Sequence, residues 1–187
     1  DHHLAEALRM ATEVGDEKLE IQVRLTLAEV ALRAQRRDEA HVQAEQARAI
    51  LPAAGSHRLA LVTARILVSA RQSRDARHVL RKLLEQTEAS GELQIWAQAM
   101  LTMGSIPIER GDPKSAARYL DEVRSRDGLE PVIRARAALH RGLLHVILRD
   151  PEGGRLSYRE ALGAACAAGW SDGVVQAGRI GGQAQHG

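Results

Sequence analysis

Four times along this chain a small residue marks one point of an apolar helical pattern, a second fixed position follows twelve residues on, and a third seven beyond that. The sets are Ala28, Ala40 and Ala47; Ala64, Ala76 and Leu83; Gly104, Ala116 and Val123; and Gly142, Gly154 and Ala161. Successive copies are offset by 36, 40 and 38 residues. Spacing inside a copy is held while the joints vary, which is how a repeated structural unit behaves. A chain of this kind is built by stacking, and each unit has to bury its apolar face against the next.

The columns around the ruler define the unit. Three residues before each small residue stand Leu25, Leu61, Leu101 and Leu139; two after it, Val30, Ile66, Ile106 and Leu144; four after it, Leu32, Val68, Ile108 and Val146. At 3.6 residues per turn, Leu25, Ala28 and Leu32 share one side of a helix, while Val23, Leu27, Val30 and Ala34 form a second stripe. A helix that is apolar on two sides is packed between neighbours. Small residues let two helix backbones approach closely, so the expected unit is an antiparallel hairpin crossing at Ala or Gly.

This pattern resembles the tetratricopeptide repeat family. The first full copy carries Leu27-Ala28, Ala40, Ala44, Ala47 and the exit proline Pro52; the third carries Met103-Gly104, Gly111, Ala116, Leu120 and Val123; the fourth carries Gly142, Gly154, Tyr158 and Ala161. Most of the family's aromatic positions are replaced, and the units are longer, similar to those of bacterial signalling proteins such as the helical arrays of large ATP-binding transcriptional activators. The resemblance implies an all-α fold, an α-solenoid of antiparallel hairpins with a right-handed superhelix. It spans one domain over residues 1–187, with repeats at 16–55, 56–91, 92–130 and 131–169. Partial repeats occupy 1–15 and 170–182, and a polar tail follows at 183–187.

Composition agrees with that class. There is no Phe, and the aromatic residues are Trp96, Tyr119, Tyr158 and Trp170. A core of Ala, Leu, Val and Ile suits closely packed helices and disfavours a β-sandwich. Basic and acidic residues are intermixed, with a net charge of +2, so no acidic partner is obligatory. Cys166 is the only cysteine, which removes any disulfide within the chain, and its Ala-Ala-Cys-Ala-Ala setting reads as a small packing residue at a helix crossing. With no transmembrane-length run and no signal peptide, a cytoplasmic setting is expected.

In chain order the pattern predicts helices over 3–14, 17–35, 38–51, 56–71, 73–89, 91–110, 113–126, 131–148, 151–168 and 171–180. Ala7 lies forty residues before Ala47, so the first helix reads as the second half of a unit. The last, cut off at Gly181-Gly182, reads as the first half of another. The chain is therefore expected to be an excerpt of a longer protein. Asp112-Pro113 and Asp150-Pro151 fall in one column and mark helix starts, Asp as cap and Pro at the first helical position. Pro107, inside a helix, is expected to kink it or end it early.

Nothing in the sequence assembles a catalytic constellation: there is no Gly-rich phosphate loop, no His-x-x-x-His pair and no nucleophile on a strand–turn–helix frame. His41 and Glu45 share a helix side, and His140 and His145 do not, so neither pair makes a metal site. The expectation is a non-enzymatic protein with no cofactor. In the family it resembles, first helices of successive units line a groove. Carried over by position, the groove columns are Leu25, Glu29 and Leu32; Leu61, Arg65 and Val68; Leu101, Ser105 and Ile108; Leu139, Leu143 and Val146. The resemblance implies an interaction scaffold for a peptide, a partner helix or another domain of the parent protein, and an apolar groove suits docking by side chains at helical spacing. Two alternatives remain open. One is a ligand- or peptide-sensing segment of a bacterial regulator. The other is a nucleic-acid-associated repeat using the basic face Arg71, Arg74, Arg77 and Arg81, although no aromatic interleaves that stripe.

Overall fold

The computed structural model describes residues 2–51 and 56–183. Ten α-helices account for almost all of them: α1 His2–Val14, α2 Glu17–Arg33, α3 Arg37–Ile50, α4 His57–Ser69, α5 Ser73–Ser90, α6 Leu93–Glu109, α7 Pro113–Ser125, α8 Pro131–Ile147, α9 Pro151–Ala167 and α10 Ser171–Gln183. Pro52 lies outside the described residues, as do residues 184–187 of the expected tail. The final helix is not cut off at Gly181-Gly182 but runs through them to Gln183.

Helix starts follow local chemistry. Asp16, Ser56, Asp112 and Asp150 each accept a hydrogen bond from a backbone N–H three residues on, at 2.9 to 3.2 Å. Those donors have no partner inside the helix, so the cap replaces water. Prolines stand at the first position of α7, α8 and α9, where a missing N–H removes nothing from the helix.

Helix ends follow backbone geometry. After α2, α4, α6 and α8 one residue adopts positive φ: Gln35 at 61°, Arg71 at 60°, Gly111 at 70° and Arg149 at 54°. These four stand in one column, offset again by 36, 40 and 38 residues. The residue after each sends its N–H back five residues: Arg36 to Ala31, Gln72 to Leu67, Asp112 to Pro107 and Asp150 to His145, at 2.8 to 2.9 Å. This left-handed closure satisfies the terminal carbonyls with main-chain groups alone. Gly15, Gly91 and Gly169 close α1, α5 and α9 in the same way. The joint after α7 differs: a loop through Gly128 spans Arg126 to Glu130, and the Gln94 side chain holds it. The amide of Gln94 donates to the Gly128 carbonyl at 2.9 Å, and its oxygen accepts from the Glu130 N–H at 3.1 Å.

The chain divides into two compact units, Asp1–Gln86 and Thr87–Gly187, with the division inside α5. In the first unit α2 packs on α1, α3 and α4, and α3 packs on α4. Its core joins Leu25, Ala28 and Ala31 of α2 with Ala40, Ala44 and Ala47 of α3 and Leu59, Val62 and Ile66 of α4. In the second unit α6 packs on α7 and α8, and α8 packs on α7, α9 and α10. Ala138 and Leu139 of α8 meet Ala161 of α9 and Ala177 of α10 there. Joints this short between helices that pack on each other make antiparallel hairpins. The first helix of a hairpin also lies on the first helix of the next: α2 on α4, α6 on α8, and α8 on α10.

All twelve positions of the spacing ruler are buried. Gly104 shows why smallness matters: a methyl group there would stand 3.3 Å from Cβ of Tyr119 and 3.6 Å from Leu120. Three expectations are corrected. Pro107 does not shorten its helix, because α6 ends five residues after Gly104, as α2, α4 and α8 end five after theirs. Its carbonyl also takes the closing bonds from Arg110 and Asp112. Cys166 is exposed rather than packed at a crossing, since it faces away from the buried line Gly154, Ser157, Ala161 and Ala165. Ala34, placed on a second buried stripe of α2, is exposed at the helix end, while Val23 and Ala31 carry burial there.

Candidate functional site

The four groove columns separate by burial. Leu25, Leu61, Leu101 and Leu139 are 1, 2, 3 and 5% exposed and belong to the core. A leucine this deep contributes roughly 1.5–3 kcal/mol by burial and offers little to a ligand. Leu32, Val68, Ile108 and Val146 are half-buried; Leu32 and Val146 lean on the cores of their own units. The middle column holds half-buried Glu29, Arg65 and Ser105 and exposed Leu143.

In the first unit that column is charged. Glu29 of α2 lies 3.7 Å from the Arg65 guanidinium of α4 and 3.6 Å from that of Arg58. Arg58 also donates to the Thr26 hydroxyl at 3.0 Å. The carboxylate is only 19% exposed, so this cluster links the two neighbouring first helices while keeping one edge open to solvent. In the second unit the column is Ser105 and Leu143. Ser105 donates its hydroxyl to the Thr102 carbonyl of its own helix at 2.8 Å, leaving its oxygen able to accept. Leu143 and Ile147, four apart on α8, are 37 and 45% exposed. The two units therefore present different chemistry on equivalent helices: an ion cluster in one, an aliphatic pair in the other.

The basic stripe does not lie on one helix face. Arg71 occupies the left-handed turn before α5, and only Arg74, Arg77 and Arg81 share a side of the helix. Glu85 and Glu88, four and seven residues beyond Arg81, continue that side, so its charge is mixed over the whole helix.

The sequence reading missed a partnership at the start of α9. The ionised Asp150 carboxylate can only accept, so His145 Nδ1–H donates to its Oδ2 at 2.9 Å, while Oδ1 caps the Gly153 N–H at 2.9 Å. The Gly153 bond, and after it the His145 contact, holds the Asp150 carboxyl below its ordinary value of 3.8 against the opposing effect of burial. Asp112 is lowered likewise by Ser115, its hydroxyl first and its backbone N–H next. The signal available was the five-residue step from His145 to Asp150 across a joint, a spacing that a helical wheel does not connect. Among the described residues no three His, Cys, Asp or Glu side chains gather as a cation site, and no helix is long and apolar enough to cross a membrane.

Set against known proteins, the chain matches no family model, and no curated protein is recognisably similar to it.

Proposed function

We propose that the chain is a non-catalytic interaction module of the tetratricopeptide type, a solenoid of hairpins whose first-helix faces hold a peptide, a partner helix or another domain of the parent protein. The observation that carries this reading is the split of the groove columns. Repeated hairpins set their first helices side by side, the core takes the leucine column, and the adjoining column of Glu29, Arg65, Ser105 and Leu143 is left to do something else. Helices that carry a charged pair in this column, as α2 and α4 do, or an exposed aliphatic pair beside it, as α8 does with Leu143 and Ile147, suit a segment docked by side chains at helical spacing. A cytoplasmic setting and a bacterial signalling parent belong to the same proposal.

The test uses positions outside the leucine core, because substitution of buried Leu61 or Leu101 would disrupt the core. Glu29→Lys in the first unit and Leu143→Asp in the second are compared with wild type in affinity capture, with and without nuclease. Circular dichroism checks helicity. Protein partners that survive nuclease and are lost with either variant support the reading. Capture unchanged by both variants, or abolished by nuclease alone, sinks it.

A further inference from the structure

We draw no further inference here: the strongest candidate, the exposed aliphatic patch of Leu143 and Ile147 on α8 of the second unit, belongs to the first-helix face already described, and nothing in the structure shows what covers it.

Discussion

Gln35, Arg71 and Arg149 hold a backbone conformation that their own Cβ atoms oppose, in a column where the third copy has Gly111. A left-handed residue with a side chain carries roughly 1–2 kcal/mol of strain, offset in glycine by its larger loss of chain entropy. Gln35→Gly and Arg149→Gly are therefore each expected to raise stability by about 0.5–1 kcal/mol, and Gly111→Ala to lower it comparably, read from urea midpoints. At the start of α9 the constraint is reversed. A methyl on Gly153 would fall on the Asp150 carboxylate and the His145 ring, so Gly153→Ala is expected to open the cap and lower the midpoint. Acid makes a separate prediction. The folded carboxyls of Asp112 and Asp150 sit below 3.8, so their contribution is whole above that value and is lost as pH falls through the folded values. Asp150→Asn should make the acid limb of stability shallower below about pH 4 and leave its slope at neutral pH unchanged.

Among the elements, the loop after α7 is the informative exception. Elsewhere the described joints close through their own backbone, whereas this one depends on a side chain from α6. Gln94→Ala is expected to speed hydrogen exchange at the Glu130 N–H while that of α8's interior stays slow, because only the clamp is removed. Equal acceleration across α8 would mean that Gln94 supports the helix rather than the loop. The helices themselves were legible in the sequence to within about three residues, since small residues at helix crossings and Asp-Pro starts are packing and hydrogen-bonding requirements that write themselves into spacing. The left-handed column was not: glutamine and arginine carry no preference for positive φ, and only Gly111 announces it. For a related reason Pro107 does not end its helix early. It stands near the end of α6, where little helix remains to interrupt, and the lost donor leaves the closing bonds intact.

At the scale of the whole molecule, the burial pattern says where each copy invests its stability. Leu25→Ala and Leu139→Ala are each expected to cost about 2–5 kcal/mol. Native-state hydrogen exchange should show the first acting mainly on α2, α3 and α4 and the second on α8, α9 and α10, because each leucine packs within its own unit. Uniform loss of protection over all ten helices would refute that locality. The candidate faces were only half legible for the same physical reason: an apolar residue on a helix announces burial without naming what buries it, so the leucine column and the half-buried column next to it looked alike. Glu29 and Arg65 were visible as charges, but their approach across two helices 36 residues apart needed the fold. Most joints, finally, are sealed by main-chain groups that every amino acid possesses. A segment bounded by two such seams can be copied, and the copies can then drift almost freely, provided that the small residues at the crossings persist. That tolerance accounts for a chain whose ruler survives in all four copies while the lettering between its marks has been almost wholly rewritten.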